Sequence, residues 1–125
     1  MITSYEKLLA LPGSELDRKS RADAQYWMGW GCYKQQKWTR AINHFQQARD
    51  LLPGRYREPA GVHIVLSAYS LLDSDQLKEG VDQLLSDAPH QQFPARMLTW
   101  LGLERFSKGD YDGANRFLGL ATVSY

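Results

Sequence analysis

The side chains that could do chemistry are few and scattered. His44, His63 and His90 fall on three different segments, and none has a cysteine, a second histidine or a carboxylate at a spacing that zinc sites use. They read as solvated or hydrogen-bonded histidines. Cys32 is the single cysteine, which excludes an internal disulfide framework and a cysteine zinc site; it reads as a buried, inert thiol, because no nearby cation marks it for activation. Asp73, Asp75 and Asp82 surround a turn and a helix start, where acids favour the helix dipole rather than acid–base work. No P-loop, dinucleotide glycine fingerprint, nucleophile elbow or H-E-x-x-H helix occurs. These residues point away from an enzyme and imply no cofactor and no metal.

Aromatic surface is what the chain has in quantity. The stretch QYWMGWGCYKQQKW, residues 25–38, holds three of the four tryptophans with a tyrosine on each side of the central pair. Aromatic side chains of this density serve packing or recognition, so the partner class matters. Fifteen basic and fourteen acidic residues leave a formal charge of +1, which provides no field favouring nucleic acid or an anionic membrane. No run approaches the ~18 apolar residues of a membrane span, and MITSYEKLLALPG lacks the basic and apolar regions of a secretory signal. The expected partner is a protein or peptide.

The elements that must position these rings are helices. Trp38, Ala41, Ile42, Phe45, Ala48 and Leu52 make one helical stripe; Leu77, Val81, Leu84, Leu85 and Ala88 make a second; Tyr111, Ala114, Phe117, Leu118 and Ala121 make a third. Each stripe follows another helical segment, 22–35, 59–72 and 94–106, across a short polar turn, so the unit is a helical hairpin. Pro59 and Pro94 mark helix starts. Ser20 with Asp23 marks another, in competition with Ser14 and Asp17. Between Pro53 and Pro59, PGRYREP reads as a small basic loop carrying Arg55 and Arg57. The single domain of 1–125 divides into a lone helix in 1–13, hairpins in 22–55, 61–94 and 95–125, and an extra linker at 56–60.

Ala41, Gly80 and Ala114, taken as equivalent small positions, repeat at steps of 39 and 34 residues. In the first unit Met28-Gly29, Trp38, Ala41, Phe45, Ala48 and Pro53 recur in the order large residue and glycine, aromatic after the turn, small, large, small, proline. The third unit repeats it with Leu101-Gly102, Gly109, Tyr111, Ala114, Leu118 and Ala121. The middle unit keeps only the sizes, at Ser67-Ala68, Leu77, Gly80 and Leu84, with Asp87 where a small residue is expected. This pattern resembles the tetratricopeptide repeat family, and Cys32 stands where that family has tyrosine. The resemblance implies an all-α array of antiparallel helical hairpins in a right-handed superhelix, about seven helices in all. It also explains Gly29 and Gly102: glycine inside a helix costs ~1 kcal/mol, which close approach of the paired helix justifies.

The resemblance further implies that first helices line a concave wall where partners lie. On this wall it places Tyr26, Trp27, Trp30, Tyr33, Val65, Tyr69, Arg96, Trp100 and Leu103, with Trp30, Tyr69 and Trp100 expected as a continuous strip. Two readings stand for these rings: they fill a tightly wound interior, or they form a part-exposed groove. Some relatives grip a C-terminal carboxylate there with lysine, asparagine and arginine; here Tyr26, Trp30, Leu66 and Trp100 occupy those positions, so an apolar or aromatic peptide, or an amphipathic helix, suits the wall better. YEKLLALPG resembles the helix end QQARDLLPG, so the chain also reads as a piece of a longer array, although a capping helix fits the same residues. A piece would leave bare flanks at Leu8, Leu9, Phe117 and Leu120, through which a second copy would associate.

Overall fold

The computed structural model describes residues 15–123, and Leu8, Leu9 and the helix expected in 1–13 lie outside them. Among the described residues the chain is all-helical: α1 Glu15–Lys34, α2 Trp38–Leu51, α3 Pro53–Leu71, α4 Ser74–Asp87, α5 Ala95–Ser107 and α6 Tyr111–Val123. Consecutive helices pack against each other within the pairs α1–α2, α3–α4 and α5–α6, and α2 also packs closely on α3. Far less backbone contact joins α4 to α5.

The turns follow from local chemistry. Three residues separate α1 from α2, with Gln36 at φ 60°, and three separate α5 from α6, with Gly109 at φ 82°. Glycine reaches that left-handed region without a Cβ clash. Asp73 caps α4 by accepting a bond from the Gln76 amide at 3.2 Å, and Asp110 accepts one from the Gly113 amide at 3.0 Å. Both satisfy amides that the first helical turn leaves without partners.

The core lies between the two helices of each hairpin. Ala41, Ile42, Phe45 and Ala48 of α2, Leu77, Val81 and Leu84 of α4, and Ala114 and Phe117 of α6 are buried. Gly29 and Gly102 have the packing reason their positions suggest. A Cβ on Gly29 would lie 2.8 Å from the Phe45 ring, and one on Gly102 would lie 2.6 Å from Leu118. The middle hairpin solves the same problem differently. Its first helix carries Gly61 against Leu84, and its second carries Gly80 against Val65, so the pair closes through glycines on opposite helices.

Two boundaries differ from those expected. Helix α1 already runs at Glu15, so Ser20 and Asp23 lie inside it rather than at its start. Residues 56–60 are not a linker and PGRYREP is not a loop: α3 begins at Pro53, and Pro59 sits inside it. An interior proline costs ~3 kcal/mol because it removes one backbone bond and crowds the preceding turn. The helix nevertheless extends back because Tyr56 and Ala60, one on each side of Pro59 in sequence and one turn apart, are buried and continue the stripe of Ile64, Ser67 and Ala68. Burying a side chain the size of Tyr56 offsets much of that cost.

Candidate functional site

The aromatic residues gather where α1 meets α3 and where α3 meets α5. Tyr26 stacks on Tyr56 with ring centroids 4.6 Å apart, and its edge meets Phe45 at 5.6 Å and Trp27 at 5.5 Å. One turn along α1, Trp30 lies 4.4 Å from the His63 ring and 5.7 Å from Tyr33. Tyr33 in turn meets Trp38 at 5.2 Å. Separately, Tyr69 of α3 lies 5.8 Å from Trp100 of α5. Among the described residues no ring contact joins Trp30 to Tyr69, so the expected strip falls into two clusters. The physical reason is register: Trp30 sits beside His63, and Tyr69 is six residues further along α3.

Exposure sorts the expected site residues. Trp27 is 53% exposed and Leu103 58%, while Arg96 is also exposed; Tyr26, Trp30, Tyr33, Tyr69 and Trp100 are half-buried. Each half-buried ring packs on the core with one side. Val65 does not belong with them. It is 2% exposed and packs beneath Gly80, because it faces the partner helix rather than the outer side of α3. Phe117 is fully buried within its own hairpin and offers no bare flank for association; Leu120 is half-buried.

Polar contacts join the helices at several places. The Tyr56 hydroxyl donates to the Asp23 carboxylate, with Arg55 3.8 Å from the same oxygen. Burial, then this bond to a carboxylate, pushes the Tyr56 phenol above its ordinary range. Arg105 bridges Asp75 of α4 at 2.5 Å and Asp110 at 3.0 Å, and Arg116 of α6 pairs with Asp82 of α4. The pairs to Asp75 and Asp82 cross between the second and third hairpins, where backbone contact is thin. The bond from Arg105 holds the Asp75 carboxyl below its usual range, and the Gly113 amide, followed by Arg105, does the same for Asp110.

Helix pairing, a glycine under a large ring and an aromatic after the turn recur in the first hairpin as one unit. Residues 22–55 match the family model of the tetratricopeptide repeat. This segment is similar to the tetratricopeptide repeat. The repeat covers the C-terminal two-thirds of α1 and all of α2, and it includes Gly29, Phe45 and the Trp27–Trp30 face. Tetratricopeptide repeats mark protein–protein interaction modules and are generally non-catalytic. Compared with curated proteins, the chain finds no match. No described helix is long and apolar enough to cross a membrane, and the described residues contain no cluster of three metal-ligating side chains.

Tyr56 and His63 join the site although sequence reasoning did not select them. His63 contacts Trp30, Tyr33 and Phe45, and its Nδ1 lies 2.9 Å from the Pro59 carbonyl oxygen. A signal for Tyr56 was present: counted from Pro53 instead of Pro59, Tyr56, Ala60, Ile64 and Ser67 fall at helical spacing. His63 lies one position away from that stripe, on the side that α1 covers. Between α3 and the 88–94 connection, Val62, Leu66, Phe93, Pro94 and Met97 line a small apolar notch of about 60 Å³.

Proposed function

We propose that α1, α3 and α5 present a concave groove that binds an apolar or aromatic peptide, or the apolar side of a partner helix. Trp27, Trp30, Tyr69, Trp100 and Leu103 form its contact surface, and Arg96 and Tyr33 stand at its edges. The observation that carries this reading is the exposure of Trp27 at 53% in the segment that matches the tetratricopeptide repeat; Leu103, at 58%, is exposed separately on α5. Tryptophan and tyrosine dominate binding hot spots, and exposed Trp27 lies against the half-buried Tyr26 ring. The notch beside Leu66 supplies a place for one aliphatic side chain.

The test uses peptides selected from a random library on the whole protein. Trp27→Ala and Trp100→Ala should each weaken the selected peptides by about thirtyfold, the ~2 kcal/mol of a hot-spot aromatic. Melting should shift little in Trp27→Ala, since that ring is half in water. Binding unchanged in both variants would refute the groove. A second reading, self-association through α6, draws on exposed Tyr111 at 59% and Val123 at 78% together with half-buried Leu120. Sedimentation that stays monomeric at high concentration would remove it.

A further inference from the structure

We infer that the chain associates head to tail: Trp27 on α1 of one copy seats on Leu103, Phe106 and Tyr111 of a second copy. This names the partner helix of the groove reading, and it rests on that reading only in taking Trp27 and Leu103 as contact residues. The receiving surface is continuous. Leu103 and Phe106 stand one turn apart on α5, and the Phe106 ring meets Tyr111 of α6 at 5.2 Å. All three side chains are bare, at 58%, 60% and 59% exposed.

The first hairpin shows what belongs on such a surface. Counted from Gly29 and Gly102, the residues Leu103, Phe106 and Tyr111 take the places of Trp30, Tyr33 and Trp38. Tyr33 meets Trp38 at 5.2 Å, the same contact that Phe106 makes with Tyr111. The difference lies in the cover. Trp30 and Tyr33 are half-buried, and the His63 ring of the next first helix, α3, lies 4.4 Å and 5.2 Å from them. In the middle hairpin Tyr69 holds the place of Trp30, and it meets Trp100 of the next first helix, α5, at 5.8 Å. Leu103 is the third residue at that place, and among the described residues no further first helix covers it.

The covering residue has a place of its own. Trp100 directly precedes Leu101-Gly102, as Trp27 directly precedes Met28-Gly29, so Trp27 is on α1 what Trp100 is on α5. Trp27 is 53% exposed, and among the described residues its only ring contact is with its neighbour Tyr26. His63 covers Trp30 from a place three residues earlier, which on α1 is Ala24. Ala24 is small and fully buried, so on α1 only Trp27 can serve. The contact between α3 and α5 is thus an interface that the molecule already builds once, and α1 of a second copy laid on α5 continues it. The surface offered differs from the surface received, so the contact is heterologous and builds chains or rings of copies rather than a twofold dimer. One tryptophan on three side chains falls short of the area of a permanent interface, so the association is weak and grows with concentration.

Sedimentation equilibrium of the full chain should show the average mass rising above one copy as protein is raised from micromolar to millimolar. Trp27→Glu removes the inserted ring, and Phe106→Glu puts a charge on the receiving surface. Each should hold the chain at one copy, because a carboxylate pressed into an apolar contact is left unpaired. Mixed in equal amounts the two variants should pair, since one keeps its receiving surface and the other its tryptophan, and growth should stop at two copies. Both changes fall at exposed helical positions, and melting curves check the fold; if Phe106→Glu melts early, Leu103→Glu takes its place. A parent chain that stays at one copy overturns the inference. So does association that survives Trp27→Glu, which assigns it to another surface such as α6, and so does a mixture that fails to pair. Library peptides separate the two proposals. Peptides that bind a chain fixed at one copy and are lost in Trp100→Ala keep the groove and overturn the pairing, whereas a pairing mixture with no peptide selected supports the pairing and counts against the groove.

Discussion

Alanine at Gly29 and alanine at Gly119 set two effects of one methyl group against each other. In an exposed helix interior the change stabilises by ~0.8–1 kcal/mol, because alanine loses less backbone freedom on folding. Gly119 is such a place, exposed on α6 with nothing within 4 Å of an added Cβ. It lies near the helix end, so the gain should be about 0.5 kcal/mol. Gly29 has the same propensity to gain but a ring in the way. Its Cβ would meet Cε1 of Phe45 at 2.8 Å and Cδ1 at 2.9 Å, whereas carbon atoms rest ~3.5–4 Å apart. Phe45 is 0% exposed, so the ring cannot swing outward and the helices must part or the ring must leave its rotamer. Such overpacking costs ~1–3 kcal/mol, which leaves Gly29→Ala destabilised by about 1 kcal/mol. Gly102→Ala should destabilise at least as much as Gly29→Ala, since its methyl would meet Leu118 Cγ at 2.6 Å and the Ala114 backbone oxygen at 3.3 Å, which no rotation of Leu118 moves. Urea unfolding followed by far-ultraviolet circular dichroism reads all three as shifts in midpoint at constant slope. A Gly29→Ala midpoint that rises as Gly119→Ala does would refute the reasoning, because α1 and α2 would then not close on each other at that point.

Pro59→Ala should stabilise the protein by about 1–2 kcal/mol in the same assay, as it restores an interior helical bond; a neutral or destabilising result would return Pro59 to a helix start. Tyr56→Phe should cost about 1 kcal/mol near neutral pH by leaving the Asp23 carboxylate without its donor. The phenol is raised above its ordinary value of 10.0, so its contribution is complete below that pH and is lost above it; the variant should therefore show a shallower alkaline fall in melting temperature, and parallel curves would count against the bond. Asp75 and Asp110 are held below their usual range, so their contribution is present at neutral pH and is lost as pH falls through the low carboxylate range. Arg105→Met should flatten that acid limb and accelerate amide exchange in α5 and α6 ahead of α1 and α2; unchanged exchange would show that the ion pairs do not hold the third hairpin.

Much of the architecture was legible without coordinates. The stripes of α2, α4 and α6 have one apolar side at helical spacing, and a helix with one such side must bury it against a neighbour. Gly29 and Gly102 were legible because each follows a large residue at the repeat position where the paired helix comes close, whereas Gly119 has no such place in the pattern. Those are local or pairwise consequences of residue size and period. The extent of α3 was not legible, since Pro59 is a sound start signal in isolation and loses only when burial of Tyr56 and Ala60 is included. Nor was the choice between Val65 and Tyr69 as surface residues, because four residues nearly share a side of a helix and only the position of Gly80 makes Val65 the buried one.

The sequence by itself determined the helical hairpin, the first repeat and the supply of aromatic rings. Tertiary structure alone decided how one first helix slides along the next, and therefore that Trp30 meets His63 while Tyr69 meets Trp100. The physical reason is that periodicity specifies the direction in which a side chain leaves its own helix. The partner it meets depends on the axial offset between helices, and that offset is set by the summed packing of glycines, rings and ion pairs that lie far apart in the chain.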